Sequence, residues 1–217
     1  MKKPFKKQLF TYYAQVAKAL SNGNRLEILE FLAQRECAVE DLANLTGLAI
    51  ANTSHHLQQL KKMGLVECRK EGLHVIYRLS GDDVLSLMVE LRQVAERHLA
   101  DVDNLIDDVL TVKDGLEALP AEELLVRARE GLVTVLDVRP SEEYQAGHLP
   151  GAINIPLSEL EYKLKALDKE KEVVAYCRGP NCVLAFDAVE QLRALGIKAR
   201  RLDGGYPEWK LKGLPTE

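Results

Sequence analysis

A segment that contains both Gly and Pro, residues 113–120, separates two stretches of the chain with different hydrophobic patterns. Before it, apolar residues recur mainly at helical spacing, and after it helical stretches alternate with short apolar runs typical of buried strands. The length of 217 residues is sufficient for two hydrophobic cores, because compact domains commonly hold roughly 100 to 150 residues. We therefore predict two domains, residues 1–112 and 121–217, joined by a linker over residues 113–120.

The first domain is predicted to be mainly helical and to contain one β-hairpin. Helices are expected over residues 5–20, 24–32, 39–45 and 50–63, and strands over residues 65–69 and 75–79. Asn24 is the expected N-cap of the second helix, because Glu27 follows it at the spacing of a capping box. This order of elements predicts a winged helix-turn-helix domain.

Residues 82 to about 112 carry a long apolar periodicity, which predicts one helix of about 30 residues. Such a helix is about 45 Å long, which is more than a domain of this size can cover. Part of its apolar stripe is therefore expected to pack against a second copy of the chain. The pattern predicts a homodimer.

Charge is distributed unevenly along the chain. The first 80 residues hold 12 Lys and Arg against 7 Asp and Glu, although the net charge of the whole chain is −4. A cationic domain suits double-stranded DNA, and a helix over residues 50–63 fits the major groove. The residues expected to contact DNA are Asn52, Thr53, Ser54, His55, His56, Gln59 and Lys61 of this helix, with Arg69 and Lys70 of the wing. A solvated wing tip is an equally good interpretation of the last two.

Three segments of this domain resemble the ArsR family of regulators: Asp41-Leu-Ala-Asn-Leu-Thr-Gly-Leu, Ser54-His-His-Leu-Gln-Gln-Leu and Glu71-Gly-Leu-His-Val-Ile-Tyr-Arg-Leu. The resemblance covers roughly residues 10–100, and Ser54, His56 and Leu57 match the Ser-x-His-Leu signature of the family. It implies a repressor that binds operator DNA.

Many members of that family sense metals through a pair of cysteines, and Ala38 and Glu40 stand at those positions here. Cys37 falls on a neighbouring position, so a soft sulfur site is not supplied. We therefore expect neither a metal ion nor a cofactor. A metal- or arsenite-responsive repressor with an inactive second domain is retained as an alternative.

Cys177 follows an apolar run over residues 173–176 and precedes a predicted helix over residues 183–195. At such a position, loop N–H groups and the helix N-terminus can stabilise a thiolate and then a persulfide or a bound anion. Cys177 is therefore the candidate catalytic residue. The substrate-binding loop is expected to consist of Arg178, Gly179, Pro180, Asn181 and Cys182.

Three segments of the second domain resemble the opening, catalytic and closing motifs of rhodanese domains: residues 136–156, the loop at Cys177, and residues 202–213. The resemblance implies an α/β fold with a largely parallel sheet. It also implies a sulfurtransferase, in which Cys177 takes a sulfur atom from a small donor such as thiosulfate or polysulfide and carries it as a persulfide.

Two residues of the loop depart from the rhodanese pattern. Pro180 removes one backbone donor, and Cys182 stands where the family has a second cation. Cys182 either resolves a persulfide on Cys177 or is kept from it by the loop geometry. Asp137 and Arg139 are expected to brace the loop as a pair, and His148 to be a structural turn residue.

Together these patterns favour a homodimeric transcriptional repressor whose second domain senses or transfers reactive sulfur. The other alternative is a sulfurtransferase whose winged helix only dimerises it. No stretch approaches the roughly 18 apolar residues of a membrane span. We therefore expect a cytoplasmic protein with no membrane partner.

Overall fold

The structure is a computed structural model that describes residues 4–110, 118–163, 167–168 and 170–217, without the side chain of residue 107. The chain divides into two compact units, Met1–Met88 and Val89–Glu217. Most of the predicted linker, residues 113–117, lies outside the described residues. Its described end belongs to the second unit, because Leu119 is fully buried and its N–H donates to Arg201 O at 2.7 Å.

The first unit is a winged helix-turn-helix, as predicted. Its elements are α1 (Phe5–Leu20), α2 (Gly23–Gln34), β1 (Cys37–Ala38), α3 (Val39–Thr46), α4 (Ile50–Lys62), β2 (Val66–Glu71), β3 (His74–Leu79) and the first part of α5 (Asp82–His98). The strands pair antiparallel in the order β1-β3-β2. The N-cap of α2 is Asn22 and not Asn24, because the Asn22 side chain accepts from Arg25 N at 3.2 Å and the helix begins at Gly23.

The long helix predicted from residue 82 is divided into α5 and α6 (Ala100–Val109), so the expectation of one continuous helix was wrong at Leu99. The Leu99 N–H still donates to Ala95 O, but the Leu99 carbonyl accepts from both Val102 N and Asp103 N. This shared bond tightens the first turn of a new helix. Large apolar side chains remain exposed along both helices: Leu87, Leu91, Val94, Leu99, Leu105 and Val109.

The second unit is an α/β domain with a parallel sheet, as predicted. Its further elements are α7 (Ala121–Arg129), β4 (Val133–Asp137), α8 (Ser141–Ala146), β5 (Ile153–Asn154), α9 (Leu160–Lys163), β6 (Glu172–Tyr176), α10 (Val183–Ala194), β7 (Ala199–Arg201) and α11 (Tyr206–Leu211). The strand order is β5-β4-β6-β7, and every pair is parallel.

The carboxyl edge of this sheet positions the candidate site. The central strand β6 is covered on both faces, since Val173, Val174 and Ala175 are all 0% exposed. Parallel strands end at a common edge, and ligands bind there in open α/β sheets. Asp137 ends β4 and Cys177 directly follows β6, so both lie at this edge.

None of the helices within the described ranges has the length and apolar character that crossing a membrane requires.

Candidate functional site

The polar face predicted on α4 is present, with one exception. Asn52, His55 and Lys61 are exposed, and Ser54, His56 and Gln59 are partly exposed. Thr53 is fully buried, and its hydroxyl donates to Ala49 O at 3.2 Å. Thr53 therefore packs the start of the helix, and its neighbours form the accessible face.

Arg25, which the sequence did not single out, orients this face. Its guanidinium donates to Gln59 Oε1 at 2.9 Å and to the main-chain oxygens of Lys18, at 3.0 Å, and Ala19. Gln59 Nε2 lies 2.7 Å from His55 Nε2. The end of α1 and the polar face of α4 are thus joined through one buried cation.

His56 is held neutral by its surroundings. Its Nδ1 atom is buried and has no hydrogen-bond partner among the described residues. Desolvation lowers the pKa of His56 below the ordinary value of 6.5, and the charges of Arg25 and His55 lower it further. A neutral imidazole can donate to or accept from a base edge but adds no charge next to phosphate.

The two cations of the wing differ in their partners. Arg69 is ion-paired with Glu36, and its Nη2 atom lies 3.2 Å from Glu71 Oε2. Lys70 is exposed near the wing tip. A phosphate would have to displace carboxylates at Arg69, so Lys70 is the better placed of the two.

Cys37 and Cys68 are too far apart to act together. Both are in register with Tyr77, from the two strands that flank β3. Neighbouring strands lie about 4.8 Å apart, so the two backbones are separated by about 10 Å, beyond the reach of a disulfide. Within the described ranges there is also no group of three or more His, Cys, Asp or Glu that could hold a metal ion.

The thiol loop, residues 177–182, connects β6 to α10. Cys177 is 1% exposed, and the half-buried Cys182 is the N-cap of α10. Their Sγ atoms are joined in a disulfide, with the two Cα atoms 6.2 Å apart. Native disulfides span this distance without backbone movement. The loop geometry therefore brings the second thiol to the first.

Gly205, just before α11, allows the thiol loop to lie against the chain that follows β7. The N–H of Tyr206 donates to Cys177 O at 3.1 Å. A Cβ atom on Gly205 would lie 2.4 Å from Gly179 N and 2.6 Å from Cys177 O, which are backbone atoms that cannot turn away. Any other residue at this position would push the loop outward.

Arg178 is engaged by a carboxylate from α8. Its Nε atom donates to both oxygens of Glu143, at 3.0 and 3.1 Å, and its Nη2 atom donates to Oε1 at 2.6 Å. The Glu143 side chain is only 4% exposed and that of Arg178 is 18% exposed. The cation expected to hold an anionic donor is therefore already neutralised.

The predicted pair of Asp137 and Arg139 is confirmed, and it braces the strand end that carries the thiol. Both side chains are 0% exposed, with Arg139 Nη2 2.6 Å from Asp137 Oδ2. The hydroxyl of Tyr176 donates to the same oxygen at 2.5 Å, and Arg139 lies over the Tyr206 ring. Burial, and secondarily the charge of Asp137, raises the pKa of Tyr176, so this hydroxyl stays protonated.

His148 packs in the turn that follows α8. Its ring stacks on that of Tyr144, with the centroids 3.7 Å apart, and its Nδ1 atom lies 3.0 Å from Tyr144 O. These contacts agree with a structural role in the turn.

Two residues of α5, within the second unit, contact the thiol loop and α11. Asn181 Nδ2 donates to Glu96 Oε1 at 2.6 Å. Arg92 Nη2 lies 3.0 Å from Glu208 Oε1, and Glu208 also accepts from Gly205 N at 2.9 Å. Arg92 and Glu96 are themselves an i,i+4 pair at 3.6 Å. One polar network thus joins α5, the loop and the start of α11.

Sequence reasoning missed Arg25, Arg92, Glu96 and Glu143. Only Glu143 lies in a segment with a recognised motif, the rhodanese opening motif over residues 136–156. Its acidic side chain in that motif was the one signal that could have marked it as a partner of the thiol loop. The spacing of Arg92 and Glu96 in the sequence indicates only an ordinary ion pair on a helix surface.

Comparison with known proteins identifies both parts of the chain. Residues 22–67 match the model of the bacterial regulatory protein, arsR family, and residues 120–212 match that of the rhodanese-like domain. The HTH-type transcriptional regulator Rv0324 of Mycobacterium tuberculosis is 50% identical over 212 residues, covering 98% of this chain and 93% of that protein.

Two further relatives match a smaller share of the chain. The cadmium resistance transcriptional regulatory protein CadC of Listeria innocua is 43% identical over 72 residues, which is 33% of this chain and 60% of that protein. The solved homodimeric winged helix-turn-helix DNA-binding domain of Mb0332 from Mycobacterium bovis is 45% identical, covering 46% of this chain and 92% of that one, with a TM-score of 0.43.

Proposed function

This chain belongs to the ArsR family of transcriptional regulators and carries a rhodanese-like domain, and we propose that it is a homodimeric repressor that takes up reactive sulfur on Cys177. The observation that carries the proposal is the placement of the buried Cys177 between β6 and the N-terminus of α10, within reach of a second thiol. Loop amides and the helix N-terminus at such a position stabilise a thiolate and a persulfide anion.

The DNA-binding half of the proposal rests on α4 and the wing. The side chains that contact the operator from α4 are Asn52, Ser54, His55, His56, Gln59 and Lys61. Lys70 binds the phosphates, and Arg69 does so once a phosphate replaces its carboxylate partners. Thr53 packs the helix and does not touch DNA, because it is fully buried. Because the proposed function requires binding to chromosomal DNA, we propose that the protein acts in the cytoplasm.

The dimer is supported by exposed apolar surface. Along α5 and α6, Val94, Leu99 and Leu105 are 49%, 56% and 64% exposed, and on α1 Phe5 and Tyr12 are 76% and 62% exposed. Helices that expose an apolar stripe of this kind commonly pack against a partner. A second copy of the chain is the partner we propose.

The thiol loop and the DNA-binding unit have α5 in common. This helix begins in the first unit, and its second half, with Arg92 and Glu96, belongs to the second. Asn181 of the loop is bonded to Glu96. Sulfur uptake that moves the loop therefore changes a contact of the helix proposed to form the dimer.

The test is DNA affinity, measured by fluorescence anisotropy on the promoter upstream of the protein's own gene at fixed salt. It is measured before and after loading with inorganic polysulfide, in wild type and in Cys177→Ser. We expect a change of about tenfold, or 1.4 kcal/mol, in wild type and none in the variant. High affinity that ignores loading would show that the rhodanese-like domain does not act as the sensor.

Two other functions predict different results. The name of the Listeria relative favours a metal-responsive repressor, and stoichiometric cadmium binding that releases DNA would support it; the separation of Cys37 and Cys68 speaks against it. A sulfurtransferase that only dimerises through its winged helix would turn over thiosulfate and have no preferred DNA sequence.

A further inference from the structure

The thiol loop holds its two sulfur atoms together through main-chain contacts. Cys182 N donates to Gly179 O at 3.2 Å, Tyr206 N donates to Cys177 O at 3.1 Å, and Gly205 lets the segments approach. None of these contacts uses a sulfur atom. The backbone that places Cys182 beside Cys177 can therefore persist when the Sγ–Sγ bond is open.

The loop's own cation is poorly available to a dianionic donor. The guanidinium of Arg178 is neutralised by Glu143, and Pro180 has no N–H to offer. Thiosulfate carries two negative charges and relies on such donors. A hydropersulfide or a short polysulfide carries at most one charge on each reacting end and needs the loop cations less.

We propose that the loop is a dithiol reductant of sulfane sulfur, a class of activity distinct from sulfur transfer, with hydropersulfides as substrates. The proposal rests on the proposed function in one respect, the formation of a persulfide on Cys177. In the first step the Cys177 thiolate attacks the outer sulfur of a hydropersulfide R–S–SH. A bond forms from Cys177 Sγ to that sulfur, the S–S bond of the donor breaks, and the thiol RSH leaves.

In the second step the Cys182 thiolate attacks Cys177 Sγ. The Sγ–Sγ bond forms, the bond to the outer sulfur breaks, and hydrosulfide leaves with the electron pair. Overall, R–S–SH and two cysteine thiols give RSH, hydrogen sulfide and the Cys177–Cys182 disulfide. Two electrons pass from the thiols to the sulfane sulfur. An external dithiol, of small-molecule or protein type, reduces the disulfide for the next cycle.

The second position of the pair suits this role. Cys182 is the N-cap of a helix of 12 residues, where the helix N-terminus stabilises an attacking thiolate. It is also more accessible than Cys177, being half-buried where Cys177 is 1% exposed. An external reductant can therefore reach the Cys182 side of the disulfide, which leaves Cys177 as the leaving thiolate, ready for the next donor.

The test uses the full chain, reduced and freed of reductant under anaerobic conditions, with glutathione hydropersulfide as the probe. Hydrogen sulfide is trapped and counted, and the intact chain is weighed by mass spectrometry. Wild type is expected to release about one sulfide per chain and to become lighter by two hydrogens, as the dithiol stoichiometry requires. Cys182→Ser is expected to become heavier by one sulfur atom on Cys177 and to release sulfide only when a thiol is added.

A matched control is Cys68→Ser, which removes a thiol outside the loop and should behave as wild type. If wild type keeps the added sulfur and releases no more sulfide than Cys182→Ser, the reductase proposal is overturned and the persulfide proposal survives. If neither protein gains or releases sulfur, both proposals fail. The fluorescence of Trp209, which is buried in the same unit, reports whether Cys182→Ser is folded.

Discussion

Arg178 and Glu143 form a nearly buried ion pair beside the candidate nucleophile, with Arg178 Nη2 2.6 Å from Glu143 Oε1. In a loop that is expected to bind a sulfur donor, this pairing sets how strongly the cation attracts an anion. The carboxylate competes with thiosulfate for the Arg178 guanidinium. It has a smaller effect on a hydropersulfide, which carries at most one charge on its reacting end.

Replacing Glu143 with Gln should therefore improve the use of thiosulfate. The amide keeps the shape and an acceptor but removes the negative charge. We expect the KM for thiosulfate to fall about three- to tenfold, on the order of 1 kcal/mol, with a much smaller change for a hydropersulfide donor. The measurement is steady-state sulfur transfer to cyanide. Glu142→Gln, an exposed neighbour on α8, is the control, and equal KM values in the two variants would contradict the role given to Glu143.

Much of the fold was predictable because its signals are local. The alternation of apolar runs and helical stretches after residue 120 gave β4, β6 and α10 almost to the residue, and the turn at Gly72 gave the wing. The position of Cys177 at the end of a strand followed from the same pattern. The contact of Arg178 with Glu143, 35 residues away, depends on tertiary packing and left no local signal.

Other features were visible but were missed or read in the wrong way. Thr53 lies three residues after Ile50 and four before Leu57, so it falls on the apolar stripe of α4 and not on the polar face. No Gly or Pro marks the break between α5 and α6 at Leu99 in the sequence. The break coincides with a Leu99 carbonyl that accepts from both Val102 N and Asp103 N. That Cys182 reaches Cys177 could not be decided from spacing, because five residues can either curl or extend.

A methyl group at Gly205 should destabilise the second unit. In Gly205→Ala the new Cβ meets main-chain atoms of the thiol loop at 2.4 to 2.6 Å, so the loop or α11 must move. We expect a loss of about 1 to 3 kcal/mol in the free energy of unfolding. Trp209 is buried in this unit and is the single Trp of the chain, so its fluorescence in urea reports on this unit. Gly179→Ala, whose Cβ would meet its nearest neighbour at an ordinary 3.6 Å, should change the midpoint little.

The first unit should lose stability as the pH falls, because of His56. Burial lowers the pKa of His56 below 6.5, with further lowering by Arg25 and His55, so the unfolded chain takes up the proton first. The contribution of neutral His56 to the free energy of unfolding is fully present above pH 6.5. It is lost as the pH falls through the lower pKa of the folded state. The measurement is the free energy of unfolding at each pH, from urea titrations monitored by the hydrogen exchange of α4. This free energy should decline with falling pH in wild type and decline less in His56→Gln. His98→Gln, at an exposed position, serves as the control; a decline of equal size in all three proteins would remove His56 from the explanation.

The contact between Asn181 and Glu96 should carry the effect of the loop to α5. Glu96→Ala removes the acceptor that Asn181 Nδ2 reaches at 2.6 Å, and Glu96 makes no part of the DNA-binding face or of the thiol pair. We expect its DNA affinity without sulfur to stay within about twofold of wild type, and the affinity change on polysulfide loading to shrink severalfold. Glu90→Ala, an exposed acidic position on the same helix, should keep the full response. Both variants must still react with polysulfide at Cys177 to the same extent as wild type, by mass spectrometry and sulfide release, which separates a lost signal from a lost reaction. A full response in Glu96→Ala would exclude this contact as the route, and the coupling would then have to run through the Arg92 and Glu208 pair or through the segment that joins α6 to α7.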